Sequence, residues 1–123
     1  MSVVAWIITG LLAAVYLAAG AMKLAQPRER LLQQANLAWV NDFSEAQVKG
    51  IGAVELLAAL GVVLPWLLNV ASVLTPVAAL GLTAVQIGAI SVHVRRGEQK
   101  VLPTNLVLLA LSTTLAVVRV TQL

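Results

Sequence analysis

Residues 50–65 read Gly-Ile-Gly-Ala-Val-Glu-Leu-Leu-Ala-Ala-Leu-Gly-Val-Val-Leu-Pro, apolar throughout except for one carboxylate, Glu55. A helix of this composition belongs in hydrocarbon, where a charged side chain at the centre costs about 2.5–3.5 kcal/mol. Glu55 must therefore face a protein interior with partners, or take up a proton. The organisation of the chain follows from finding those partners.

The composition agrees with a membrane setting. Of 123 residues, 60% are hydrophobic and 11% charged. A soluble domain keeps about a quarter of its residues charged, so the lipid bilayer must be part of the solvent here. The net charge is +3, from eight Lys and Arg against five Asp and Glu. These charges sit at the ends of apolar runs and read as topology determinants and headgroup contacts, not as a nucleic-acid surface. The absence of cysteine excludes disulfides, iron–sulfur clusters and thiolate metal sites. A single histidine excludes bis-histidine haem ligation. With one intramembrane carboxylate, it also falls short of a usual metal-ligand set.

Four apolar spans are expected, at about 3–25, 46–66, 72–94 and 102–121, forming one all-α membrane domain over 1–123. The first exceeds the ~7–15-residue apolar core of a signal peptide and lacks its basic start, so it reads as a retained helix. Residues 27–49 are the most polar part of the chain and read as a short interfacial segment. Ser44-Glu45-Ala46-Gln47 has a capping-box pattern that starts the second helix. Pro76 and Pro103 fall near first turns, where proline is tolerated. Arg95-Arg96-Gly97 supplies basic residues and a glycine stop to the third helix. On the first helix, Gly10, Ala14 and Ala18 form a small-residue stripe suited to close packing, including against a second copy.

Orientation follows from the basic residues. Lys23, Arg28, Arg30, Lys49, Arg95, Arg96 and Lys100 belong to the first and third loops, and Arg119 to the other side. The positive-inside rule puts both loops in the cytoplasm and both termini outside a multi-pass cell-membrane protein. Trp6 and Trp66 then share the outer interface.

Within this topology the polar residues of the spans converge on the cytoplasmic leaflet. Lys23, Glu55, His93 with Gln86 below it, and Asn105 each come from a different helix. Tyr16, Gly20 and Lys23 share one face of the first helix, and Gly52 on the Glu55 face leaves room beside the carboxylate. Intramembrane polar groups avoid lipid by facing one another. A polar pocket is expected, with Glu55 and His93 as candidate acid–base residues. Lys23, Gln86, Asn105, Tyr16 and Gly52 are candidate ligand contacts. The plainer reading is an ion pair of Glu55 with Lys23 or His93 that only joins helices, with Asn105 as an interhelical hydrogen bond.

Three stretches carry a family resemblance: Ala19-Gly20-Ala21-Met22-Lys23-Leu24, Gly52 to Pro65, and Gly88-Ala89-Ile90-Ser91-Val92-His93-Val94-Arg95-Arg96-Gly97-Glu98. Their order and spacing resemble the DoxX-like family. The resemblance implies a four-helix membrane bundle in which Lys23, Glu55 and His93 match recurrent family positions. Some DoxX relatives are linked to quinone-coupled oxidation of sulfur compounds, others to membrane redox complexes, and a eukaryotic branch to receptor assembly. An electron-transfer role would need a bound quinone or a partner subunit. Three functions follow as expectations. The first is a site for a small lipophilic or quinone-like ligand, accessory to a membrane redox system. The second is an assembly or partner-binding protein without catalysis. The third is a proton-coupled exporter, resembling small four-span exporters but with its glutamate in the second helix instead of the first.

Overall fold

The structure is a computed structural model and describes residues 2–123; residue 1, part of the expected 1–123 domain, lies outside the described residues. The protein is an all-α integral membrane bundle. Helix α1 spans Ser2–Ala25, α2 is the single turn Arg28–Leu31, α3 spans Glu45–Leu67, α4 Leu74–Arg96 and α5 Leu102–Thr121, with a 3-10 segment at Ala35–Asp42 between α2 and α3. The four long helices are each apolar enough to cross a membrane. At 1.5 Å per residue, the 23 residues of α3 reach about 35 Å, enough for the ~30 Å hydrocarbon layer.

The helices form a closed ring: α1 packs on α3, α3 on α4, α4 on α5, and α5 returns to α1. Each buries one stripe, which on α3 is Val48, Gly52, Glu55, Ala59 and Val62. The apolar core lies in the half of the bundle away from Glu55, around Ala5, Leu12, Val62, Leu82 and Leu115. The sharpest approach is between Gly20 and Gly52, where a Cβ on Gly20 would lie 2.7 Å from the Gly52 carbonyl oxygen. The stripe of Gly10, Ala14 and Ala18 instead points away from the bundle. A second close contact joins α3 to α4: a Cβ on Gly61 would lie 2.8 Å from the Ala78 Cβ, and Thr75 Oγ1 donates to the Gly61 carbonyl at 3.0 Å.

Local chemistry sets the ends. Ser44 caps α3, accepting from the Gln47 amide at 3.1 Å, while the Gln47 side chain accepts from the Ser44 amide at 2.9 Å. Gly97 closes α4 in the left-handed region at φ 71°, and Glu98 N–H donates to the His93 carbonyl at 2.9 Å, a Schellman-type turn. The α3–α4 connection is tight, with Asn69 and Ala71 both at positive φ. Segment 28–43 folds over the Glu55 end of the bundle, burying Leu31 and Val40 against Val48. Three basic residues tie it and its flanks down. Arg28 donates to the carbonyls of Phe43 at 2.7 Å and Asn41 at 2.9 Å. Arg96 pairs with Asp42 at 2.8 Å. Lys49 caps α1 by donating to the carbonyls of Lys23, Leu24 and Gln26.

Candidate functional site

The Gly20–Gly52 approach brings α1 and α3 together one turn from the carboxylate, and Lys23 Nζ reaches Glu55 Oε1 at 2.7 Å. Both side chains are only 7% exposed. The pair is close to neutral as a unit, as burial requires: separating such charges in a low-dielectric interior leaves one uncompensated. Gly52 makes this possible through backbone proximity, since a Cβ there would sit 2.8 Å from the Lys23 Cβ; the residue does not line the cavity beside the pair.

That cavity measures about 940 Å³ and is bounded by all four long helices and the 28–43 segment. Tyr16, Lys23, Glu55, Gln86, His93 and Asn105 all line it, so six of the seven expected site residues face one space. The rest of the wall is mostly apolar, including Leu37, Trp39, Phe43, Ile51, Val85 and Leu108. Trp39 closes it from above, its ring 5.8 Å from Lys23 Nζ and edge-on to His93 at 6.5 Å.

Deeper in the cavity, Gln86 Nε2 donates to the Tyr16 hydroxyl. The Gln86 Oε1 acceptor and the Asn105 Nδ2 donor are both buried without a hydrogen-bond partner. Buried polar atoms are rarely left so, because each forfeits about 1–3 kcal/mol of solvation.

His93 does not meet Glu55. The turn at Gly97 returns the chain over the last turn of α4, and His93 Nδ1 lies 2.9 Å from Glu98 Oε1. Arg96 Nε approaches the same oxygen at 3.3 Å. Partial burial pushes the Glu98 carboxyl up, but the hydrogen bonds from His93 and Arg96 and their charges outweigh it and hold the group below the usual carboxylate range. The ionised Glu98 then accepts from Nδ1–H, leaving Nε2 as the free nitrogen of His93.

Glu98 and Trp39 lie outside the expected site, whereas Arg119 is expected on the inward face of the last span, with Asn105 and Ser112, but not among the site residues. Glu98 and Trp39 were visible only as loop residues; the glycine stop before Glu98 was the available signal. Arg119 is fully buried at the opposite end of the bundle. Its guanidinium lies between the rings of Trp6 at 4.9 Å and Trp66 at 4.3 Å, and Nη1 donates to Gln122 at 2.9 Å. The seven-residue spacing of Asn105, Ser112 and Arg119 put it on the inward face, which was the signal for its burial.

The sequence model of the DoxX-like family matches residues 7–115, which takes in all of α3 and α4, most of α1 and α5, and every polar residue lining the cavity. No curated protein and no solved structure matches the chain.

Proposed function

The chain is a member of the DoxX-like family, and from that premise we propose that it binds a small, neutral, lipophilic ligand in the cavity beside Lys23 and Glu55. The observation that carries this reading is the pair of unpartnered atoms, the Gln86 Oε1 acceptor and the Asn105 Nδ2 donor, at a cavity whose wall is mostly apolar. Lys23 and Glu55 neutralise each other, so the complementary molecule carries no net charge. It offers an acceptor to Asn105 and a donor to Gln86, joined to an apolar body. Its size suits the cavity, since ligand sites commonly enclose about 300–1,000 Å³.

A quinol headgroup fits that donor and acceptor set: one ring hydroxyl donates to Gln86 Oε1, and the oxygen of the other accepts from Asn105 Nδ2. When bound, such a group would supply two-electron, two-proton chemistry. The chain's own residues would orient the ring through Asn105 and Gln86, exclude water with Trp39 and Phe43, and hold charge balance with Lys23 and Glu55. His93 Nε2 would be the proton-accepting atom nearest the bundle end. Acting as an accessory to a membrane redox system, the protein would pass electrons only through a partner subunit. The whole chain would work as one four-span domain, with the Glu55 end in the cytoplasm and both termini outside. Labelling tests that orientation: because the chain has no cysteine, Lys100→Cys should react from the cytoplasmic side only and Thr121→Cys from the outer side only.

Binding is tested by titrating decylubiquinol, kept reduced, into the protein in lipid nanodiscs and following quenching of Trp39, with Trp39→Phe as the blank. Affinity should fall about tenfold in Gln86→Leu and in Asn105→Leu, each of which deletes a hydrogen bond in a dry site. Unchanged affinity in Gln86→Leu, Asn105→Leu, Glu55→Gln and His93→Ala would refute the reading. The alternative is an assembly or partner-binding protein in which the polar core only stabilises the bundle. The outward-facing stripe of Gly10, Ala14 and Ala18 favours it, and it predicts a co-purifying membrane protein that is lost in Ala14→Leu.

A further inference from the structure

We propose that the cavity fills sideways from the bilayer, through a gap between α3 and α4, so that its ligand arrives dissolved in lipid and never crosses the segment that covers the bundle end. The proposal rests on the ligand-binding reading above and concerns the route to that site.

The contact between α3 and α4 is tight in one half of the bundle, and in the other half both helices line the cavity. At Gly61 and Ala78 the helices are so close that a Cβ would meet its neighbour at 2.8 Å, and Thr75 bridges them to the Gly61 carbonyl. Toward the Glu55 end the facing residues are Ile51 and Val54 on α3 and Ala89 and Val92 on α4, and all four line the cavity. Gly50 and Gly88 edge the same opening, and a Cβ on either would meet nothing within 4 Å. Val54 lines the cavity and yet is 50% exposed. A residue that borders both the interior space and the outside marks where the two join. In a membrane, the outside of this stretch is acyl chain, because both helices are apolar there.

The other approach is closed. Segment 28–43 is braced internally by Arg28, which donates to the carbonyls of Asn41 and Phe43, and is joined to α4 by Arg96 on Asp42, and its Trp39 and Phe43 rings pack edge-on at 5.5 Å. A molecule coming from water would have to displace these contacts. One coming from lipid meets mostly small and aliphatic side chains at the gap, Ile51, Val54, Gly88, Ala89 and Val92 among them, and a neutral ligand partitions into lipid before it binds.

The glycines make the proposal testable without disturbing the fold. Leucine at position 50 or 88 fills open space and replaces a poor helix former with a good one, so the bundle should remain intact. Stopped-flow quenching of Trp39 by decylubiquinol, kept reduced, in nanodiscs reads the association rate. Gly50→Leu and Gly88→Leu should slow association about tenfold, as expected when entry comes to require a conformational change, and leave the equilibrium affinity close to that of the wild type. Gly10→Leu, at a glycine that is equally open but remote from the gap, should leave the rate unchanged, and Val54→Ala should raise it. Asp42→Asn, which loosens the covering segment, should have no effect on the rate. Wild-type rates in both Gly50→Leu and Gly88→Leu, or acceleration by Asp42→Asn, would overturn lateral entry while leaving the binding site standing. An absence of quenching in the wild type would overturn both.

Discussion

Glu55 is stable in the bilayer because Lys23 neutralises it at 2.7 Å, and the two must be judged together. Removing one partner of a buried pair leaves a bare charge and costs about 3–5 kcal/mol, whereas replacing both with apolar groups is often neutral. Lys23→Met should therefore destabilise the protein by about 3–5 kcal/mol in denaturant unfolding followed by circular dichroism. The double variant Lys23→Met, Glu55→Met should recover most of that loss. If the single variant unfolds like the wild type, the pair does not carry the bundle's polar balance. Arg119 offers the matching case at the far end. Its contacts with Trp6 and Trp66 replace a carboxylate with ring faces, worth about 2 kcal/mol each when desolvated. Trp66→Leu should thus cost about 2 kcal/mol more with Arg119 present than in an Arg119→Gln background, by a double-mutant cycle. Equal costs in both backgrounds would deny the coupling. At Glu98 the sign of the pH dependence is set by a carboxyl held below its usual range. Its stabilisation is complete above the ordinary carboxylate pKa and is lost as the pH falls through the lowered one. Thermal melts should show an acid-side loss of stability that is smaller in Glu98→Gln; the same loss in both proteins would remove Glu98 from the account.

Helices and turns decide which of these residues can meet. Lys23 and His93 were equal candidates for Glu55 by depth alone, and the choice between them is made by backbone geometry. Gly20 and Gly52 let α1 approach α3 closely enough for Lys23 to reach, while the left-handed turn at Gly97 gives His93 a nearer carboxylate in Glu98. Periodicity reports which face a residue occupies but not how closely two faces approach, so this outcome was not legible beforehand. The capping box at Ser44 and the glycine stop at Gly97 were legible, because each is written in adjacent residues and satisfied within one turn. Gly52→Ala tests the element-level argument. Its Cβ would lie 2.8 Å from Lys23 and 3.0 Å from the Gly20 carbonyl, forcing α1 and α3 apart at a cost of about 1–3 kcal/mol in unfolding experiments. A wild-type melting curve for Gly52→Ala would contradict the close approach.

Over the whole molecule, one bundle divides into two unlike halves. The half with Trp6, Trp66 and Arg119 is packed shut around an apolar core, and the half with Glu55 is hollow. The spans and the bilayer setting were legible from the apolar runs, since hydrophobicity along the chain is a local property. The hollow is legible from the shared depth of Lys23, Glu55, Gln86, His93 and Asn105 and from the helix faces they occupy. Its two unsatisfied atoms, Gln86 Oε1 and Asn105 Nδ2, depend on side-chain partners that no sequence pattern reports. They also carry the central claim, that a neutral lipophilic molecule belongs between them. Native mass spectrometry of the protein released from its own membranes in mild detergent tests this claim most directly. A neutral adduct should accompany the wild type and be lost from the Gln86→Leu, Asn105→Leu double variant. A wild-type spectrum without such an adduct, or the same adduct at equal occupancy in the double variant, would contradict the account.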